Sequence, residues 1–466
     1  MFDIAIDLER AGVRAPASPA QLGSSYNAVF APLKRLPGTA TVPGKVIMQY
    51  VMTHDPGNTI KNQRRRFYAS ISHGVKWINF FALETYATSG GDFCDGYNGM
   101  YPAVLKEIRE YGMFSDIVAE GVPQAQGAKA AIVFSQTSDI YLDDFGTGAS
   151  AKRSLYIAIR HAQIALDVVI EEDIIDNTVS EYAVLFLNAP HITQAAAEKL
   201  ASWVEKGGTL IGSVGMGLLN ETNQTNHALA NVFGINSHAV SGTEAGVGTN
   251  EIVYIKQDLA FVDILTTATV SSQVLLTDTT DEPMPVLGEM ALLELTSPGP
   301  TKAETLTTFK DGSPAMFARK RGQGTAVAVA FHLGLAYFRS SMPKRPPARG
   351  NTDLTFNHFV PTEFQTSARD LLEHATSHVV GVQPVLASPE RRIDVGIIAA
   401  AGKGTAIPIV NWGPGPVPQQ TLTLQFECDF KAASLATGGH VAVSKNAAGQ
   451  TVLTFALDIA DTVILR

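Results

Sequence analysis

The sequence predicts an α/β protein: parallel βαβ units, then a doubly wound sheet, then a C-terminal β-sandwich. Three observations predict it. Apolar runs of strand length alternate with helical stretches up to about residue 214. Glycine and proline punctuate the junctions between them. From about residue 386 the pattern changes to short alternating strands every eight to twelve residues.

Residues 1–125 form the first section. Phe2 to Ala11 reads as a helix, and Lys45 to Met52 (KVIMQYVM) as a strand led by a Pro-Gly turn. Thr59 to His73 has helical composition, with Gly74 as its C-cap. Val75 to Leu83 (VKWINFFAL) is a second strand apolar on both faces, and Pro102 to Glu110 a further helix. Strands apolar on both faces, alternating with helices, mark parallel βαβ units.

Residues 126–340 form the second section. Strands are expected at Ala130 to Ser135, Leu166 to Ile170, Tyr182 to Leu187 and Thr209 to Val214. Helices are expected at Ser154 to Ala165 and Thr193 to Lys206, the latter closed by Gly207-Gly208. This is a doubly wound, flavodoxin-like pattern. Alternating Val, Thr and Leu follow, with a hairpin turning at Asp311-Gly312 and at Gly322-Gln323-Gly324. Residues 341–385 hold a Pro-rich linker, SSMPKRPPARGN, and a helix from Thr362 to Ser377. Residues 386–466 hold the strands of the sandwich, among them AIPIVNW, TLTLQFE and TVLTFAL.

Composition excludes several function classes. With a net charge of -9 and scattered basic residues, the 466-residue chain repels phosphate backbones, so no nucleic-acid partner is expected. The one basic cluster, Arg64-Arg65-Arg66, reads as a solvated helix face. No apolar run reaches the roughly 20 residues that span a bilayer, so no membrane partner is expected. Cys94 and Cys428 stand far apart, which leaves no disulfide framework and no structural metal site. The N-terminal stretch MFDIAIDLERAGVRAP lacks the basic start and apolar core of a secretory signal, and the compartment stays unassigned. GSVGMGLLN lacks the full spacing of a dinucleotide loop, so no cofactor is expected.

Several stretches resemble glycoside hydrolase family 42, the β-galactosidases with a trimerisation domain. EYAVLFLNAPHITQAAAEKLASWVEKGGTLIGSV is similar to the family's pattern of strand, "aP" and a helix ending in "yVe.GGtl". AETLTTFKDGSPAMFARKRGQGTAVAVAFHLGLAYF resembles its "dG.Pa…G.G" hairpin. SISHGVKWINFFAL is similar to its eighth barrel strand, and GGDFCDGYNGMYPAVLKEIREYG to the segment leaving the barrel. The resemblance implies a partial (β/α)8-barrel, an amidotransferase-like trimerisation domain and a C-terminal β-domain. It further implies a carbohydrate substrate or ligand and a homo-oligomer, as a trimer. A (β/α)8 barrel takes about 250 residues. Only about 125 precede the second section, so an upstream half is absent from this sequence or comes from a partner; the alternative is a small α/β cap.

Retaining glycosidases use two carboxylates about 5–5.5 Å apart. The resemblance puts the nucleophile at the end of the strand in KVIMQYVMTHDPGNT, at Thr53. A threonine cannot be the carboxylate nucleophile; His54 and Asp55 are near but shifted along the chain. Glu84, ending the next strand, is the candidate catalytic carboxylate or sugar-hydroxyl ligand, against a plain surface glutamate. Asp92 and Asp95, in a glycine-rich loop, read as sugar ligands or turn formers. Trp77 reads as a sugar-stacking ring or as core. An amidotransferase would need a cysteine on a strand-to-helix turn. Residues 127–383 contain none, and His191 reads as a helix-start residue.

Overall fold

The computed structural model describes residues 48–52, 59–81, 97–123, 128–141, 147–242, 264–270, 283–295, 303–339, 362–377, 379, 382, 386–388, 390 and 392–466. They fall into two compact units. One takes its residues from 1–126, 347–362 and 384–466, the other from 127–346 and 363–383. The helix expected at Phe2 to Ala11 and the Pro-rich linker lie outside the described residues.

The first unit opens with β1 (Met48–Met52), α1 (Ile60–Ser72) and β2 (Trp77–Phe81). The two strands pair in parallel, Met48 beside Trp77 and Met52 beside Phe81. Thr59 caps α1, its side chain accepting from the Asn62 amide at 3.1 Å. The helix ends where Gly74 takes φ +86°, a left-handed conformation that costs glycine nothing. Next come α2 (Tyr97–Gly112), α3 (Ser115–Glu120) and the short β3 (Val122–Pro123).

The second unit carries β4 (Ala130–Phe134), α4 (Gln136–Tyr141), α5 (Thr147–His161), β5 (Leu166–Ile170) and α6 (Glu171–Ile175). After them come β6 (Val184–Leu187), α7 (Gln194–Glu205), β7 (Thr209–Ser213), α8 (His227–Phe233) and β8 (Ile235–Gly242). β9 (Ile264–Val270), β10 (Met284–Leu287), β11 (Glu289–Leu295), β12 (Glu304–Phe309), β13 (Pro314–Arg321) and β14 (Gly324–Val329) follow. The helices α9 (Leu333–Phe338) and α10 (Thr366–Ser377) complete it, with α10 resting against α9 and α5.

Nine of these strands form one sheet, in the order β10-β9-β12-β13-β14-β7-β6-β4-β5. From β14 to β5 every pairing is parallel; from β10 to β14 every pairing is antiparallel. In chain order the five parallel strands run 2-1-3-4-5, the doubly wound order in which helices cover both faces. β4, β6, β7 and β14 are accordingly buried along their whole length. The expected turns are present. Gly312 and Gly322 take positive φ, and Asp311 Oδ1 accepts from the Ser313 amide and hydroxyl.

The first unit resumes with β15 (Leu386–Ala387), β16 (Ile393–Val395), β17 (Ile398–Ala400), β18 (Gly404–Asn411) and β19 (Val417–Leu424). It ends with β20 (Ala433–Leu435), β21 (Ala442–Lys445), β22 (Thr451–Leu457) and β23 (Ala460–Leu465). One sheet runs β15-β19-β22-β21; the other runs β20-β23-β18-β17-β3, with β16 on β18. Their facing residues, including Ile407, Ile409, Leu422, Leu453, Phe455 and Val463, make one core. α1 packs against β18, which is why β18 is buried on both faces.

That packing corrects one expectation. The run Arg64-Arg65-Arg66 is not a solvated face: Arg65 and Arg66 are each 3% exposed. Arg65 donates to the carbonyls of Asn411 and Gly413 at 2.9 and 2.7 Å. Arg64 donates to the Ala460 carbonyl and to Glu110. Buried guanidinium stems fill space while their forks satisfy carbonyls at strand ends.

Candidate functional site

The expected site lies where β1 and β2 end. Their parallel register brings Met52 and Phe81 side by side. The chain therefore leaves both strands from the same carboxyl edge, the edge that carries chemistry in parallel α/β folds. Residues 53–58 follow one strand and 82–96 the other. Thr53, His54, Asp55, Glu84, Asp92 and Asp95 all lie in these segments, outside the described residues. What the structure describes is the packing that holds β2. Phe80 stacks on Phe67 of α1, centroids 6.0 Å apart, and Phe67 meets Tyr111 of α2 edge to face. Tyr111 in turn donates to the Lys76 carbonyl at 3.1 Å.

Trp77 is not core: it is 63% exposed and shares the outer face of β2 with Asn79. It stands at the amino end of the strand. Four residues of strand, about 13 Å, separate it from the edge where the Glu84 segment departs. The structure thus does not bring Trp77 together with that edge.

A second polar region lies behind the strands, among α1, α2 and the β-domain. Glu110 Oε2 accepts from Arg64 Nη1 and from the Tyr68 hydroxyl, each at 2.6 Å. One turn earlier, Glu107 is 1% exposed. Its Oε2 accepts from Gln63 Nε2 at 3.4 Å, and its Oε1 has no hydrogen-bond partner. Burial pushes the Glu107 carboxyl up to about 8, against the pull of Arg64 and the hydrogen bond from Gln63. Burial raises Asp461 as well, although Thr437 and the Thr462 amide donate to it. Glu107 lines a cleft of about 390 Å³ whose other walls include Ile60, Arg64, Pro416, Val417 and Asp461. The sequence reading missed this region. Within the helix expected at Pro102 to Glu110, no local pattern in KEIREY marks the face of its two glutamates as the buried one.

The carboxyl ends of β4 and β6 form the switch point of the doubly wound sheet, where such folds bind ligands. Here that crevice is occupied by the protein's own hydrogen bonds. The Glu171 carboxylate, 2% exposed, accepts from the Thr137 amide and hydroxyl at 3.1 Å and from the Thr193 amide at 2.8 Å. Ser135 Oγ lies 2.7 Å from both Glu171 Oε1 and the His191 carbonyl. The His191 ring stacks on Tyr141, and its Nε2 is 2.9 Å from Asn223 Oδ1. The hydroxyls of Ser135 and Ser138 engage Glu171 and the His191 backbone, not the imidazole. Among the described residues, no nucleophile–base pair is assembled there. Among the described residues no cluster of three or more His, Cys, Asp or Glu could hold a metal ion, and no helix is long and apolar enough to cross a membrane.

The described fold is similar to that of solved β-galactosidases. Among these is an enzyme of glycoside hydrolase family 42. A cold-adapted β-galactosidase from Rahnella matches 100% of this chain with 58% of its own length, at TM-score 0.59 and 15% identity. The β-galactosidase of Bacillus circulans sp. alkalophilus matches 90% of the chain with 55% of its own, at TM-score 0.55 and 16% identity. A family 42 enzyme of G. stearothermophilus matches 88% with 51% of its own, at TM-score 0.54 and 16% identity. The chain therefore spans between half and three-fifths of the length of these enzymes. No protein-family model matches the sequence, and neither does any curated protein.

Proposed function

We propose that this chain is part of a glycoside hydrolase of the β-galactosidase type, acting on β-galactosides or related glycans. β1 and β2 are then the last two strands of a (β/α)8-barrel, and the nine-stranded unit is the trimerisation-type domain of a homo-oligomer. One observation carries the reading. A parallel β1–β2 pair ends in register, directly before two segments that hold Glu84, Asp92, His54 and Asp55. Glu84 is the proposed catalytic carboxylate; His54, Asp55 and Asp92 bind sugar hydroxyls. Trp77 stays a sugar-stacking candidate only for a ligand reaching the outer face of β2.

The test is release of nitrophenol from p-nitrophenyl β-D-galactoside, with the α-anomer as control. The β-anomer alone should turn over, and Glu84→Gln should slow it at least about a hundredfold, the usual worth of an acid–base group. Turnover unchanged in Glu84→Gln would refute its role. Thr53 supports a second reading, a relative that binds carbohydrate without hydrolysing it. It predicts saturable galactoside binding with no product, and a gain of hydrolysis on Thr53→Glu.

A further inference from the structure

We propose that the cleft among α1, α2 and the turn joining β22 to β23 is a separate binding site, one that takes a neutral polyhydroxylated ligand of monosaccharide size through Glu107. It goes beyond the hydrolase reading, because neither strand of the β1–β2 pair lines it. Its volume of about 390 Å³ falls at the small end of the roughly 300–1,000 Å³ typical of small-molecule sites.

The polar groups of the wall differ in what they have left to give. Arg64 is spent, with Nη1 on Glu110 and both Nε and Nη2 on the Ala460 carbonyl. Asp461 is spent on Thr437 and the Thr462 amide. Glu107 is not: it lines the cleft, and its Oε1 is buried with no hydrogen-bond partner in the protein. A buried carboxyl oxygen left unpaired costs about 1–3 kcal/mol, which a ligand hydroxyl would recover.

The lining balances three basic groups, Lys61, Arg64 and Lys106, against three acidic ones, Glu107, Asp458 and Asp461, so it offers no net formal charge to an ion of either sign. The remaining surface is apolar: Ile60, Pro416, Val417, Pro418, Leu457 and Ile459. A pyranose ring offers the complementary pair, a C–H face for the prolines and a rim of hydroxyls for Glu107. Being both donors and acceptors, hydroxyls suit this carboxyl with or without its proton.

The experiment is calorimetric titration with D-galactose, D-glucose and myo-inositol. Three variants of the same chain are compared. Glu107→Leu removes the carboxyl, Ala456→Trp fills the cleft from an exposed wall position, and Glu84→Gln changes only the proposed catalytic carboxylate. At least one ligand should bind. Its affinity should fall at least tenfold in Glu107→Leu and in Ala456→Trp, with the thermal midpoint of Ala456→Trp unchanged, and should hold in Glu84→Gln. No binding by any of the three would overturn the site. So would binding lost only in Glu84→Gln, which leaves the hydrolase reading intact and this one refuted. Methylammonium or acetate binding with the same sensitivity to Glu107→Leu would overturn the neutral ligand.

Discussion

Glu107 ties stability to pH. Its folded value, about 8, lies well above the roughly 4.3 of an unfolded chain. The folded state thus holds the proton more tightly. The contribution is fully present below about pH 4.3, declines as pH rises, and is gone above about 8. Its size is on the order of a few kcal/mol. Denaturant unfolding between pH 5 and pH 9 should show the wild type losing stability across this window and Glu107→Gln losing less. Parallel pH profiles for the two would refute the assignment. Glu171 answers to different physics, since it is an acceptor for backbone and side-chain donors. Glu171→Ala strands the buried amide of Thr137 and the half-buried amide of Thr193 and should cost about 3 kcal/mol in urea unfolding, with hydrolysis by the surviving folded fraction unchanged. At this scale the sequence misled most. The arginine run and KEIREY are charged, and local pattern assigns charge to water. The arginines are buried by partners some 340–400 residues away, Asn411 for Arg65 and Ala460 for Arg64, and Glu107 and Glu110 by Gln63, Arg64 and Tyr68 of α1, none of which a local window contains.

Elements were far more legible. The Gly74 and Gly207 stops and the Asp311-Gly312 turn rest on local chemistry and stand where the residues put them, while Thr59 and Thr193, read as the first helical residues, are the N-caps one residue before. Pairing was not legible. Nothing within GTAVAV says that β14 leaves an antiparallel hairpin to join β7 in parallel. Gly324 marks that junction, because a Cβ there would meet the carbonyl oxygens of Val204 and Gly208. Gly324→Ala should therefore cost about 2–3 kcal/mol through overpacking, read as a lowered thermal midpoint. Gly112→Ala, with nothing within 4 Å of its added Cβ, should leave the midpoint in place. Equal effects would show that the β14–β7 junction is looser than described. α2 departs from the usual rule in part: beside Ala103 and Val104 it buries Glu107 and Glu110, while Ile108 is 46% exposed.

At the scale of the molecule, the fold is similar to that of solved β-galactosidases, while the proposed catalytic assignment rests on two segments next to one strand edge. The fold class was readable because alternation of strands and helices repeats over hundreds of residues. The site was less so, since Thr53 departs from the carboxylate that the family resemblance implies. Hydrogen exchange read by mass spectrometry, with and without a β-galactoside, tests the central claim most directly. Peptides covering 53–58 and 82–96 should gain protection when sugar is bound, and Asp92→Asn should weaken that gain. Protection confined to the nine-stranded unit, or no protection in either segment at saturating sugar, would contradict the account.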